Sequence, residues 1–109
     1  MRIGEIVEKL GLEHVCGDLN VEVEHGFTCD LLSEVLGRAQ PSTLWITVQS
    51  HVNIVAVASV VGIKGIVLCD GHEYERETVE KARENGIVLL KTSENSFVVS
   101  GKVYELGLR

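Results

Sequence analysis

The sequence predicts an α/β protein, a three-layer α/β/α sandwich with a mostly parallel central sheet, in one small domain over residues 1–109. Three observations support this prediction. From residue 44 onward, strand-like and helix-like segments alternate through short connections. The strands at residues 66–69 and 87–90 are apolar throughout, which is typical of strands covered on both faces. Residues 53–61 form an almost wholly apolar helix, and such a helix is buried on more than one side.

Before residue 44, the pattern predicts two helices and two short strands. Residues 2–10 have apolar side chains on one face of a helix, and Gly11 is a suitable end for it. Residues 14–16 and 21–24 are predicted strands on either side of a Gly-Asp turn. Residues 27–38 are the second predicted helix, with Thr28 or Asp30 as its cap.

From residue 44, the elements follow one another closely. Residues 44–48 are a predicted strand whose Trp45 belongs to the core, and Asn53 is the predicted N-cap of the apolar helix. Residues 75–85 form the most polar helix, which ends at Gly86. The last element, starting after residue 93 and ending near residue 106, is predicted to be helical, although its adjacent valines also allow a strand.

Composition excludes several classes of function. A net charge of −6 disfavours binding to nucleic acid or to anionic membranes, because both need clustered Lys and Arg. Neither an export signal nor a membrane-length apolar stretch is recognisable, so the sequence predicts a cytoplasmic protein. Its three cysteines are odd in number and lack CxxC spacing, which favours reduced, partly buried thiols.

The polar residues that follow the strands predict a ligand site. Ligands of parallel α/β sheets bind beyond the carboxyl ends of the strands, at the topological switch point. Backbone N–H groups at helix starts would converge there and suit an anion such as phosphate. The predicted ligand-binding residues are Gln49, Ser50, His51, Asn53, Asp70, Gly71, His72, Thr92 and Ser93. The alternative is that these residues only form turns and caps, as polar residues do at the strand ends of every α/β domain.

Evidence for catalysis or a metal site is weaker. His51 and Asp70 are the candidate pair of a small hydrolase, but adjacent Ser50 and His51 seldom align as nucleophile and base. Cys69, His72 and His51 are the only clustered metal-ligand types, and a metal site needs three or four convergent ligands. We therefore predict no metal, no cofactor and no catalytic residue.

The apolar helix predicts self-association. One side of it lies on the sheet, and a second copy of the chain would cover the other, which predicts a homodimer. The predicted interface residues are Ile54, Val57, Val60 and Val61. The alternative is that the first or the last helix of the same chain covers this side.

Three stretches carry a resemblance to a known family. They are GDLNVEVEHGFTCDLLSEVL, LWITVQSHVNIVAVASVVGIKGIVLCDG and ETVEKARENGIVLLKT. Together they resemble the DRTGG domain, a small α/β module akin to the N-terminal domain of HPr kinase/phosphorylase. The five-residue signature that gives the family its name is absent, and the nearest piece is Cys69-Asp70-Gly71.

The resemblance implies a noncatalytic regulatory or assembly module. Such domains are attached to kinases, acetyl-group transferases and pyrophosphatases, often beside nucleotide-sensing CBS domains. A possible nucleotide or phosphorylated small ligand, and a larger enzyme or regulatory complex, are the partners that it implies. The chain lacks the GxxxxGK[ST] run that cradles phosphates in P-loop kinases, so we predict no kinase activity of its own. The hydrolase using His51 and Asp70 is the rival hypothesis.

Overall fold

The computed structural model describes residues 1–109, which form five helices around one five-stranded sheet. The elements in chain order are α1 Ile3–Leu10, β1 Glu13–Cys16, β2 His25–Thr28, α2 Leu32–Arg38, β3 Thr43–Thr47, α3 Asn53–Val61, β4 Gly65–Leu68, α4 Arg76–Asn85, β5 Val88–Lys91 and α5 Ser96–Leu106.

The sheet has the strand order β1-β5-β4-β3-β2. Strands β2 to β5 are parallel neighbours, whereas β1 pairs antiparallel with β5 at one edge. The mostly parallel sheet that the apolar strands predicted is therefore confirmed. Strand β2 forms the other edge.

Helices cover both faces of the sheet, which confirms the three-layer sandwich. Helices α1 and α5 lie over one apolar cluster, and α2, α3 and α4 lie over the other. Trp45 is fully buried in the second cluster, as predicted. Helices α1, α3, α4 and α5 each end at a glycine with positive φ, among them the predicted stops at Gly11 and Gly86.

The segment around β2 differs from the sequence prediction. Phe27 does not begin a helix, because it lies in β2 and pairs with Trp45 of β3. Helix α2 starts only at Leu32, without a side-chain cap from Thr28 or Asp30. Residues 21–24 contribute a single bridge between Glu22 and Arg2 instead of a strand, since this segment runs beside the start of α1.

The position of α3 corrects the predicted assembly surface. Ile54 is 0% exposed and belongs to the core beneath the helix, so it cannot contact another molecule. Val57 and Val61 are half-buried, whereas Val60 is 76% exposed. Neither the first nor the last helix covers α3, because both lie on the opposite face of the sheet. No helix is long and apolar enough to cross a membrane.

Replacing Thr43 by valine is expected to stabilise the protein. The Thr43 hydroxyl is buried without a hydrogen-bond partner, and removing such a group recovers a desolvation cost of about 1–2 kcal/mol. Thr47 on the same strand is the matched control, because its hydroxyl donates to Asp30 over 2.8 Å and Thr47→Val removes one of the two hydrogen bonds that this carboxylate oxygen accepts. The midpoint of urea unfolding should rise in Thr43→Val and fall in Thr47→Val. A loss of stability in Thr43→Val would contradict this account.

Candidate functional site: a polar cleft at the carboxyl ends of β4 and β5

The carboxyl ends of the four parallel strands lie along one edge of the sheet, and a cleft opens between two of them. The loop after β4 leads to α4 on one face, whereas the loop after β5 leads to α5 on the opposite face. These neighbouring loops diverge and leave a cleft of about 310 Å³ between them. A crevice between diverging loops is the usual ligand position of an open α/β sheet.

The cleft is lined by polar side chains and glycines. Four of its residues are predicted ligand residues, namely Gly71, His72, Thr92 and Ser93. The other four, which the sequence analysis missed, are Gly11, Glu13, Glu73 and Lys91. Glu13 comes from the antiparallel strand β1, so the cleft draws on segments that are far apart in the chain.

Lys91 carries the positive charge of the cleft. Its Nζ lies 2.7 and 2.6 Å from the two carboxylate oxygens of Glu73 and 3.4 Å from Glu13. The Lys91 side chain is 19% exposed, whereas those of Glu73 and Glu13 are 74% and 68% exposed. Hydrogen bonding to Glu73 raises the pKa of Lys91, so the ammonium stays charged at neutral pH.

Three backbone N–H groups near the cleft already have hydrogen-bond partners within the protein. In the loop after β4, the N–H of Asp70 donates to Glu94 over 2.9 Å and that of Gly71 donates to Thr92 over 3.0 Å. Asp70 and Gly71 both have positive φ, which turns their amides toward the loop after β5. The N–H of Glu75, the residue before α4, donates to Ser50. These three N–H groups are therefore not available to an anion in the cleft.

The predicted residues after β3 lie outside the cleft and form hydrogen bonds within the protein. Gln49 donates from Nε2 to the carbonyl of Asp30 over 2.9 Å, and the Ser50 carbonyl accepts from Thr78 over 2.7 Å. His51 Nδ1 accepts from the N–H of Asn53 over 3.3 Å, so the side chain of His51, and not that of Asn53, satisfies the start of α3. The turn-and-cap alternative describes His51 and Asn53, whereas Gln49 and Ser50 bond to segments 19 and 28 residues away in the chain.

The Asp30 carboxylate links the end of β2 to the end of β3 through hydrogen bonds. Its Oδ1 accepts from the Thr47 hydroxyl over 2.8 Å and from the N–H of Val48 over 3.0 Å. The predicted role of Asp30 as a helix cap is wrong because its carboxylate is used between β2 and β3.

The residues of the hydrolase hypothesis do not form a catalytic arrangement. Ser50, His51 and Asp70 make no hydrogen bond with one another, and His51 is engaged within its own turn. No group of three or more potential metal ligands is present. Burial raises the pKa of the Cys69 thiol to about 11, which disfavours the reactive thiolate form at neutral pH.

Comparisons with known proteins point to one family. The profile of the DRTGG domain matches residues 5–106. No curated protein matches the sequence. A similar solved structure is that of the CBS and DRTGG domains of the regulatory region of Clostridium perfringens pyrophosphatase, complexed with its activator diadenosine tetraphosphate. The two chains share 15% identity with a TM-score of 0.70, and the match covers 94% of this chain and 45% of the other. The chain thus spans less than half of that regulatory region.

Proposed function

Because the chain belongs to the DRTGG domain family, we propose that it is a noncatalytic regulatory module that acts as a homodimer and senses a nucleotide or a similar phosphorylated ligand. The observation that carries the proposal is the polar cleft around Lys91. The related regulatory region binds a nucleotide activator, which supports the choice of ligand class. A larger enzyme or regulatory complex would be the recipient of the signal.

The cleft contains one group that would bind a phosphate strongly and one group that would repel it. Charge-assisted hydrogen bonds are about twice as strong as neutral ones, so the Lys91 ammonium is the natural anchor, with the hydroxyls of Thr92 and Ser93 beside it. The Glu73 carboxylate forms a salt bridge with that ammonium and repels an incoming anion. Since the Glu73 carboxylate is largely exposed, a phosphate can replace it without burying a charge. Binding is thus controlled by the exchange of one anion for another at Lys91.

Substitutions at Lys91 and Glu73 should change ligand affinity in opposite directions. Lys91→Met removes the anchor and is expected to weaken nucleotide binding at least about tenfold, since hydrogen bonds to charged groups contribute about 1.5–3 kcal/mol. Glu73→Gln removes the competing charge and should strengthen binding about threefold, the effect of an exposed charge. Affinities for AMP, ATP and diadenosine tetraphosphate are measured by calorimetry, and melting temperatures are measured at millimolar ligand.

Lys64→Met is the charge-matched control, because Lys64 is exposed and precedes β4 at the opposite end of the sheet. It should bind as the wild type does. A wild type and a Glu73→Gln variant whose melting temperatures respond to none of these compounds, nor to a sugar phosphate, would contradict the ligand proposal. A saturating ligand at a hundred times its dissociation constant adds about 2.7 kcal/mol of stability, which melting detects readily.

The groove between α3 and α4 supports the homodimer. It measures about 490 Å³ and has apolar walls from α3, including Val55, Ala56 and the exposed Val60. Glu77 and Lys81, one turn apart on α4, form its polar side. In a two-fold arrangement, the same surface meets itself, so Glu77 of one copy can lie opposite Lys81 of the other. The groove therefore allows oppositely charged residues of two copies to pair.

Val60→Glu is expected to convert the dimer into a folded monomer. A carboxylate buried in an apolar interface loses its hydration, so dimer dissociation should increase at least about a hundredfold. Sedimentation velocity gives the mass, and circular dichroism verifies the fold. Phe97→Glu is the matched control, because Phe97 is 86% exposed on the opposite layer. It should leave the dimer intact.

Charge exchange tests the arrangement of the two copies. Glu77→Lys places like charges opposite each other and should weaken the dimer, and the double exchange Glu77→Lys with Lys81→Glu should restore it. A wild type that sediments as a monomer at high micromolar concentration would refute the homodimer and leave the ligand proposal standing.

A further inference from the structure

The outer edge of β2 presents unpaired backbone groups. The N–H groups of His25 and Cys29 donate inward to the carbonyls of Ser42 and Ile46, both over 3.2 Å. Because successive residues of a strand alternate in direction, the N–H and C=O groups of Gly26 and Thr28 point away from β3. No other strand lies on that side, since β2 is the last strand of the sheet. An additional strand would find its hydrogen-bond partners there.

An apolar hollow lies directly beside this edge, between β2 and α5. It measures about 150 Å³. Its lining residues are Gly26, Thr28, Ile46, Ser100, Val103, Tyr104, Leu108 and Arg109. A side chain at position 26 would reach into it, because a Cβ there would lie 3.5 Å from Val103 and 3.8 Å from Leu108. The glycine thus leaves a hollow open next to exposed backbone.

The two ends of the hollow differ in chemistry. At one end, the hydroxyls of Thr28 and Ser100 are 2.6 Å apart and link the strand to the helix. At the other end, the Arg109 guanidinium lies 3.8 Å from the ring centre of Tyr104 and donates to the carbonyls of Tyr104 and Leu108. No carboxylate of the chain forms a salt bridge with Arg109, so its charge is available to a partner.

We propose that the β2 edge binds an extended peptide segment of a partner protein, which adds to the sheet as a sixth strand next to β2. One aliphatic side chain of the peptide enters the hollow beside Gly26, and an acidic group next to it pairs with Arg109. This is strand addition, in which main-chain hydrogen bonds provide affinity and the pocket provides specificity. The site is separate from the cleft around Lys91 and from the α3–α4 groove.

A second copy of this chain fits the edge less well than a partner peptide. Antiparallel self-pairing of β2 about Phe27 would bring Glu24 of one copy opposite Asp30 of the other at both ends of a four-residue strand. Like charges directly opposite each other destabilise a strand pair. A peptide with an aliphatic and an acidic residue avoids this repulsion and neutralises Arg109.

The proposal can be tested with peptides selected from a random heptapeptide phage library against the intact chain. The selected sequences should share an aliphatic residue adjacent to an acidic one. Their affinities, measured by fluorescence polarisation, should fall at least about tenfold in Thr28→Pro, which removes an outward N–H without touching the bonds to β3. Thr28→Val keeps that N–H and is the matched control. Gly26→Ala, whose added Cβ makes only ordinary contacts, should weaken binding while preserving the fold.

Arg109→Ala should weaken the acidic peptides only, and added salt should reproduce this effect. The proposal is overturned if no selected peptide binds below about 1 mM, the range of the weakest specific associations. It is equally overturned if Thr28→Pro and Gly26→Ala both bind the peptides as the wild type does. A dimer that Thr28→Pro dissociates and Val60→Glu leaves intact would identify the edge as a self-pairing site and refute the peptide.

Discussion

Gly17→Ala is expected to destabilise the protein by about 3 kcal/mol, as the sum of a backbone penalty and a steric overlap. Gly17 follows β1 with φ +101°, a conformation that side chains with a Cβ rarely adopt. An added Cβ would lie 2.6 Å from the Cα of Val88 and 2.9 Å from its Cγ2. Val88 begins β5, which is paired on both sides by β1 and β4, so its backbone has little freedom to move. Urea unfolding measures the loss.

Gly86→Ala separates the two contributions. Gly86 also has positive φ, at the end of α4, but an added Cβ there meets nothing within 4 Å. The backbone penalty alone predicts a cost of about 1 kcal/mol. Equal losses in the two variants would show that β1 does not approach β5 as closely as described. Retained stability in Gly17→Ala would contradict the account of this edge altogether.

Trp45→Ala is expected to cost about 3–5 kcal/mol, the usual range for removing a large buried aromatic side chain. Trp45 is fully buried at the centre of β3, and its indole Nε1 donates to the carbonyl of Cys29 over 2.8 Å. The substitution therefore leaves a cavity and an acceptor without its donor. Since whole domains are stable by only about 5–15 kcal/mol, much of the protein should be unfolded near 37 °C. Circular dichroism must monitor the melt, because the chain has a single tryptophan.

Trp45→Phe separates the cavity from the hydrogen bond. Phenylalanine fills much of the volume but cannot donate, so a loss of about 1–2 kcal/mol is expected, and amide exchange should rise at residues 28–30. The Cys29 carbonyl precedes Asp30, whose carboxylate fastens the ends of β2 and β3. Trp45 thereby holds the edge strand against the sheet. Unchanged exchange at β2 would show that the indole bond does not hold this edge.

Much of the fold could be predicted because local patterns and tertiary packing agree. The apolar segments of β4 and β5 indicated strands covered on both faces, and glycines marked the ends of α1 and α4. Strand β2 was missed because its sequence, HGFT, is short and includes a glycine, while the helical spacing of apolar residues in α2 extends backwards over it. Only pairing with β3 makes Phe27 part of a strand, and that contact cannot be read from local sequence.

The sequence predicted where the candidate site lies but not all of the residues that form it. Residues after parallel strands meet at one edge, which identified Gly71, His72, Thr92 and Ser93. Lys91 lies just beyond the predicted strand 87–90, and its partners Glu13 and Glu73 come from an antiparallel strand and a loop that the local sequence does not place beside it. The sequence also could not show which side of α3 faces outward. Ile54 and Val60 are both apolar, so composition alone could not show which of them faces solvent.

The most direct test of the regulatory proposal is a titration of ¹⁵N-labelled protein with diadenosine tetraphosphate, followed by amide chemical shifts. We expect the signals of Gly71, His72, Thr92 and Ser93 to move first and to saturate together, and we expect Lys91→Met to need at least about tenfold more ligand for the same changes. Signals that stay in place up to millimolar ligand, or that move mainly outside the cleft with Lys91→Met responding as the wild type does, would contradict it.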